Sequence, residues 1–90
     1  MVFNWDDDKN EKLKKIRNIS FEEIVIAIDE GNILDVLENP NQQYKNQFII
    51  VVNIENYAYA VPAVLKNEEY FLKTIYPSRK LTNLYLKKKQ

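Results

Sequence analysis

The sequence predicts an α+β domain in which helices pack on one face of a curved antiparallel sheet. Apolar residues recur at helical spacing near the start of the chain, and runs rich in β-branched and aromatic residues follow them. The predicted order is two helices, a meander of about four antiparallel strands and a C-terminal helix, which is typical of the α+β class. A chain of 90 residues supports one modest core, so we expect residues 1–90 to form a single domain.

The first third of the chain predicts a short edge strand and two helices. Residues 3–5 form a short apolar opening, and Asp6 fits the N-cap of a helix that runs to Arg17. The motif from Ser20 to Glu23 matches a capping box at the start of the second helix. Gly31, the only glycine, falls where a left-handed C-terminal cap would end that helix.

The rest of the chain predicts four strands and a closing helix. The β-prone segments are residues 33–37, 47–54, 57–65 and 70–76, with a polar loop over residues 38–46. Glu55-Asn56 is expected to form a two-residue turn between the second and third of these strands. Pro62 cannot donate a backbone hydrogen bond, so the third strand is expected to lie at an edge there or to be bulged. Pro77 ends the last strand, and Ser78 can cap the closing helix.

The composition excludes several classes of function. The chain has no cysteine and no histidine, so it lacks thiolate chemistry and the commonest general base and metal ligand. A single glycine excludes a P-loop or a dinucleotide fingerprint, and the consecutive Asp6, Asp7 and Asp8 suit helix capping better than a metal site. The apolar run at residues 48–52 is far too short to span a bilayer. We expect no cofactor, no metal, no membrane partner and, by default, a cytoplasmic location.

Charge is unevenly distributed along this formally neutral chain. Residues 70–90 hold six cationic side chains and no acid, whereas residues 18–44 hold six acids and no base. A basic segment mixed with tyrosines suits a phosphate backbone or an acidic partner. The structural alternative for Lys87, Lys88 and Lys89 is a solvated helix end whose charges complement the helix dipole.

Three local motifs follow one another along the chain. They are FNWD at residues 3–6 with Lys9 three residues on, ISFEE at residues 19–23, and KTIYPSRK at residues 73–80. In order and spacing they resemble the BrnT family of bacterial toxins, and the third is placed like the strand-to-helix segment of that family. The resemblance covers nearly the whole chain. It implies a RelE-like fold, ribonuclease activity and a cognate antitoxin as partner.

The third motif supplies the candidate catalytic residues Arg79, Lys73, Lys80 and Tyr76. Cleavage by such a toxin requires a base for the attacking 2′-hydroxyl, a cation for the phosphorane and an acid for the leaving 5′-oxygen. Arg79 would grip phosphate through its planar fork. Lys73 or Lys80 would hold charge or donate a proton, and Tyr76 would donate a proton or stack on a base. The general base is not assigned.

Strand alternation makes a prediction about these candidates. It puts Lys73 on the same sheet face as Phe71 and Ile75, and Tyr76 on the opposite face. Lys73 and Tyr76 are then not expected to share one pocket.

Two hypotheses follow for the function. The first is a toxin of a type II toxin–antitoxin system, a metal-independent endoribonuclease that inhibits translation. Its antitoxin would cover the basic sheet surface, and operator DNA would be bound only through the antitoxin complex, as the resemblance implies. The second is a non-catalytic protein- or RNA-binding module on the same scaffold, which the absence of histidine favours.

Overall fold

Three helices and a six-stranded mixed sheet make up residues 2–38 and 46–87, the part of the chain that the computed structural model describes. The α+β class and the positions of the helices are confirmed, whereas most of the predicted loop over residues 38–46 lies outside the described residues. No helix in the described ranges is long and apolar enough to cross a membrane. The elements are β1 (Val2–Trp5), α1 (Asp7–Arg17), α2 (Phe21–Asp29), β2 (Ile33–Glu38), β3 (Gln47–Ile54), β4 (Tyr57–Lys66), β5 (Glu69–Leu72), β6 (Tyr76–Pro77) and α3 (Arg79–Tyr85).

The sheet has more strands than predicted, and one pair is parallel. Its order is β1-β5-β4-β3-β2, and β6 pairs with β4 beyond the end of β5. The strands from β2 to β6 pair in antiparallel fashion, but β1 joins β5 in parallel, with Val2 opposite Glu69 and Trp5 opposite Leu72. The expectation of about four antiparallel strands is therefore incomplete. Local patterning reveals a strand but not a parallel partner at the far end of the chain.

The ends of α1 and α2 form as predicted. The side chain of Asp6 caps α1, which closes at Asn18 in the left-handed conformation with φ 56°. Ser20 and Glu23 form a complete capping box, each side chain bonded to the other residue's backbone N–H. Gly31 follows α2 with φ 84°, a backbone conformation that glycine adopts without steric cost.

The core lies between α1, α2 and one face of the sheet. Trp5 of β1 stacks on Phe21 of α2, with ring centroids 5.5 Å apart. Burial of each large apolar side chain contributes about 1.5–3 kcal/mol, so this cluster supplies most of the stabilising free energy. Its buried members are Leu13, Ile19, Phe21, Ile24, Ala27, Ile28, Ile50, Val52, Val61, Ala63, Leu72 and Ile75.

A buried amide joins the first two helices. Asn10 of α1 is 3% exposed. Its carbonyl oxygen accepts from the backbone N–H of Phe21 at 2.8 Å, and its amide donates to the Glu22 carboxylate at 2.8 Å. The first N–H groups of a helix have no partner within that helix. Asn10 therefore supplies a partner for the start of α2 and sets the angle between the two helices.

Both tight hairpins turn without glycine. The predicted turn at Glu55-Asn56 joins β3 to β4, and Asn67-Glu68 joins β4 to β5. All four residues have positive φ, between 52° and 66°. Positive φ at both central residues is the pattern of a type I′ turn, which matches the right-handed twist of paired strands.

Helix α3 is fixed to β4 by one buried hydroxyl. Thr82 is fully buried, and its oxygen accepts from the backbone N–H of Ala58 at 2.8 Å and donates to the Ser78 carbonyl at 2.7 Å. Ser78 caps α3 as predicted, and its own N–H donates to the Ala58 carbonyl at 3.0 Å. The helix therefore lies across the sheet face opposite α1 and α2.

The chain segment that pairs with β4 through β5 and β6 is interrupted opposite Pro62. The backbone N–H of Lys73 donates to the Pro62 carbonyl at 2.8 Å, but Pro62 has no N–H to return the bond. Ala63 pairs with Leu72 and Ala60 with Tyr76, so three steps along β4 correspond to four steps along the facing chain. The proline lies in a central strand, and the irregularity falls on its neighbour, which carries one extra residue.

This extra residue changes which side chains share a face. The predicted single strand over residues 70–76 is split into β5 and β6, and Ile75 is fully buried in the core. Lys73 instead stays with Phe71 on the opposite face, as predicted for that pair. The expectations that Ile75 would share the face of Lys73 and that Tyr76 would lie on the other face are both wrong, because the extra residue reverses the alternation after Lys73.

The hydroxyl of Thr82 gives a direct test of how α3 is held. Thr82→Val keeps the shape but leaves the buried N–H of Ala58 without a partner, so we expect the free energy of unfolding to fall by about 1–3 kcal/mol. Thr82→Ser keeps the hydroxyl and loses one methyl group, worth about 0.8 kcal/mol. Chemical denaturation measures both. A valine variant as stable as the wild type would show that the bond does not hold α3.

The Asn10 amide gives a second test. Asn10→Ala leaves the buried Phe21 N–H unpaired and should lower the free energy of unfolding by about 1–3 kcal/mol. Its hydrogen bond is the main cause that lowers the pKa of the Glu22 carboxyl. The stability that the lowered pKa of Glu22 contributes is present above the ordinary glutamate pKa. It is lost as the pH falls through the lowered pKa of Glu22.

Glu22→Gln is the matched control for Asn10→Ala, because it keeps an acceptor for the Asn10 amide and removes only the titration. Nuclear magnetic resonance titration should show the Glu22 pKa returning toward its ordinary value in Asn10→Ala. An unchanged pKa in that variant contradicts the assigned cause.

Candidate functional site

The predicted catalytic residues cluster where the sheet passes into α3. Arg79 and Lys80 are the first two residues of α3, Tyr76 lies in β6, and Lys73 lies in the link between β5 and β6. All four are exposed. The interruption opposite Pro62 brings this link to the surface at the edge of β4.

Helix stability does not account for the two cations that begin α3. Arg79 and Lys80 occupy its first turn, where the partial positive charge of the helix end favours anions. The same turn holds no acidic residue, in contrast to α1 and α2, which begin with acids. The two cations therefore stand where an external anion would improve the local electrostatics.

No carboxylate neutralises these cations within residues 2–38 and 46–87. The one ion pair in those ranges joins Lys14 to Glu11 at 3.2 Å, within α1. Lys73, Arg79 and Lys80 consequently keep their charges available to a bound anion. A site locked into ion pairs with the protein's own acids would have no such capacity.

Lys73 borders a groove on the face of the sheet opposite α1 and α2. Its ammonium lies 5.3 Å from the centre of the Phe71 ring, a cation–π contact. The groove has a volume of about 470 Å³ and is also lined by Asn4 and Glu69, whose amide and carboxylate are hydrogen-bonded to each other. The groove is thus lined by the apolar ring of Phe71 and the ammonium of Lys73, together with the carboxylate of Glu69.

Tyr76 borders a second groove, which runs beside α1. This groove has a volume of about 240 Å³. The register places Tyr76 opposite Ala60, on the sheet face of Lys73, yet β6 has no strand on its outer side. Tyr76 therefore stands at the sheet edge between the two grooves. The residues that line the second groove are Lys9, Lys12, Leu13, Ile16, Arg17, Thr74 and Tyr76.

The four predicted residues do not converge on one pocket. Lys73 lines the first groove and Tyr76 the second, while Arg79 and Lys80 line neither. The arrangement can hold an extended anion over its exposed cations. It does not place a lysine and a tyrosine around a single bond as a compact acid–base pair would require.

Sequence reasoning missed the cations of α1 that face Tyr76. From the sequence, Lys9 was noted only as part of the first of the three motifs, and Lys12 was given no role. The signal that could have found them is spacing, because Lys9, Lys12 and Ile16 recur at three and four residues and share one helix face. Ile16 is 77% exposed on that face, so the face is not a core surface.

The described residues of this region form no cluster of metal ligands. Within the described ranges, no three acidic side chains come together as ligands, and histidine and cysteine are missing from the sequence. The donors here are cationic or phenolic, which suits anion binding rather than cation binding.

Comparison with known proteins adds no assignment. No protein-family model matches the chain, and neither the curated proteins nor the solved structures contain a match.

The far end of α3 provides a test of how its cations are positioned. The Tyr85 hydroxyl donates to the Asp35 carboxylate on β2, and this bond raises the pKa of Tyr85. A raised pKa contributes stability below the ordinary tyrosine value of about 10 and loses it as the pH rises through the raised value. In Asp35→Asn we expect the Tyr85 pKa to fall toward its ordinary value.

Nuclear magnetic resonance of labelled tyrosine resolves Tyr85 from the other tyrosines, and Tyr85→Phe identifies its signal. The alkaline loss of stability should weaken to the same degree in Asp35→Asn and in Tyr85→Phe. A Tyr85 pKa that is equal in the wild type and in Asp35→Asn would refute the contact.

Proposed function

We propose that this chain is the toxin of a type II toxin–antitoxin system, acting as a metal-independent endoribonuclease that inhibits translation. The observation that carries the proposal is the group of exposed cations at the start of α3 and in the link before it, Lys73, Arg79 and Lys80, with no ion pair to a described carboxylate. The motif resemblance to the BrnT family supports it, and so does an α+β fold with two helices between β1 and β2 and a third after β6. On this proposal the scaffold is RelE-like.

The reaction assigns roles to the chain's own residues. The 2′-hydroxyl of RNA gives its proton to a base that is not assigned and attacks the adjacent phosphorus. A cyclic 2′,3′-phosphate forms as the bond from phosphorus to the 5′-oxygen breaks, and the 5′-oxygen leaves with a proton from the acid. Arg79 holds the phosphate in two hydrogen bonds through its planar guanidinium, and Lys80 adds charge as the phosphorane develops. Tyr76 at the sheet edge stacks on a base or protonates the leaving oxygen. Lys73 binds a neighbouring phosphate from the sheet face.

The proposed partners follow from the same surface. RNA is the substrate, because a cationic surface with an exposed tyrosine binds both phosphates and bases. A cognate antitoxin covers the basic sheet surface and so blocks RNA from reaching it. Operator DNA is bound only by the complex, through the antitoxin.

A second function competes with this one. A non-catalytic protein- or RNA-binding module on the same scaffold is favoured by one observation, which is that Lys73 and Tyr76 line different grooves. A chain without histidine also lacks the commonest general base. Such a module would bind RNA with salt-sensitive affinity and leave the strand intact.

Arg79 gives the test of the catalytic proposal. Purified protein incubated with RNA in the presence of a chelator should produce fragments that end in a 2′,3′-cyclic phosphate. Arg79→Ala should cleave about 100-fold more slowly or worse, as is typical when a donor to a developing oxyanion is removed. Arg79→Lys keeps the charge but loses the fork, so its rate should fall between the two.

Lys15→Ala is the control, because it removes an exposed cation of α1 that lines neither groove. Expression of the wild type should slow growth, and expression of Arg79→Ala should not. Intact RNA with the wild-type protein, or cleavage that requires magnesium, would overturn the proposal.

A further inference from the structure

A cationic groove beside α1 shares only Tyr76 with the residues assigned to catalysis. Its α1 wall carries Lys9, Lys12 and Arg17, and its other wall is formed by Thr74 and Tyr76. None of the residues that line it is acidic. Lys9 and Lys12, three residues apart, are neighbours on the surface of the helix, and repulsion between their charges costs the helix a few tenths of a kcal/mol.

Elsewhere on α1, acidic and basic side chains occur together. Glu11 pairs with Lys14 at 3.2 Å on another side of α1, and the pair raises the pKa of Lys14, chiefly through its hydrogen bond. No ion pair to a described residue neutralises Lys9, Lys12 or Arg17. Of the four cations of α1 without an ion pair to a described residue, Lys9, Lys12 and Arg17 line the groove and only Lys15 does not.

Arg17 is held in place at the end of the groove. Its Nη1 donates to the carbonyl oxygen of Ile75 at 2.6 Å, and Ile75 is fully buried. A guanidinium has five N–H donors in a fixed plane, so one bond to the backbone orients it and leaves the others for a ligand. An arginine anchored in this way loses little freedom when it binds phosphate.

The groove also has the length and composition for an extended chain. Lys9 and Arg17 are eight residues apart on α1, a span of about 12 Å at 1.5 Å per residue. Phosphates follow one another at about 3.4 Å along the axis of a helical strand, so the span exceeds a single phosphate. Ile16, 77% exposed, offers apolar surface to a ribose or a base between them.

We infer that this groove binds phosphates of the RNA strand that flank the catalytic segment, with Lys9, Lys12 and Arg17 as the phosphate ligands. The inference rests on the proposed function in taking RNA as the ligand. Tyr76 connects this groove with the catalytic segment, since it lines the groove and lies between Lys73 and Arg79 in the sequence. The strand crosses β6 at Tyr76 and continues along α1.

Salt dependence of binding separates the groove from the catalytic residues. The probe is a single-stranded RNA whose 2′-hydroxyls are all methylated, which removes the attacking group and prevents cleavage. Binding to the full chain is measured by fluorescence anisotropy across a range of salt concentrations. Each phosphate contact contributes about 0.7 to the slope of the logarithm of affinity against the logarithm of salt concentration.

The matched variants are Lys12→Gln and Lys15→Gln. Both replace an exposed lysine of α1 with a residue of similar helix propensity, but only Lys12 lines the groove. We expect Lys12→Gln to reduce the slope by about 0.7 and Lys15→Gln to leave it unchanged. Circular dichroism of both variants shows whether each is folded.

The outcomes distinguish the groove from the proposed function. Cleavage by the wild type with equal salt slopes for the two variants overturns the groove and leaves the nuclease in place. A reduced slope for Lys12→Gln together with intact natural RNA supports the groove and overturns the nuclease. Absence of binding to the probe, or binding of an acidic peptide in its place, overturns the inference.

Discussion

The missing N–H of Pro62 is the constraint on which the arrangement of the surface depends. A residue pair in an antiparallel ladder exchanges two hydrogen bonds, and Pro62 can accept from Lys73 but cannot donate in return. The hydrogen-bonded pairing of β4 with β5 ends there. Pairing with β4 resumes at Tyr76, after one extra residue in the facing chain. A single absent hydrogen thus divides one strand into two.

Three features follow from that division. Ile75 enters the core, where it is fully buried, and its carbonyl becomes the anchor for Arg17. Lys73 stays outside on the other face, above the ring of Phe71. Tyr76 reaches the edge of the sheet, between the surface that carries Lys73 and the groove beside α1. The cationic side chains are therefore divided between the sheet face that carries Lys73 and the groove beside α1, and Tyr76 lies between them.

Stability and geometry come from different interactions in this molecule. The apolar cluster between the helices and the sheet supplies most of the free energy, at about 1.5–3 kcal/mol for each large side chain. The bonds of Asn10 and Thr82 are worth only about 1 kcal/mol each in net terms. Their importance is directional, since an apolar contact permits many helix orientations and a buried hydrogen bond permits few. Asn10 joins α1 to the start of α2, and Thr82 joins α3 to β4.

The sequence predicted what short-range physics determines. The caps at Asp6, Ser20 and Ser78 and the span of β3 follow from neighbouring residues, and the structure confirms them. The parallel pairing of β1 and the offset opposite Pro62 depend on contacts between distant segments, so no local pattern encodes them. Within the candidate site, exposure of Lys73, Tyr76, Arg79 and Lys80 was foreseeable, but the facing of Tyr76 and α1 was not.

The parallel pairing of β1 with β5 has a consequence for how the protein appears during synthesis. Residues 2–5 leave the ribosome early, but their partner at residues 69–72 is made only after both hairpin turns. Contacts so far apart along a chain form late, because the intervening loop must be closed first. Translation itself therefore delays assembly of the surface that α1 shares with residues 74–76. Until residues 74–76 have been made, α1 has no second wall with which to form the groove.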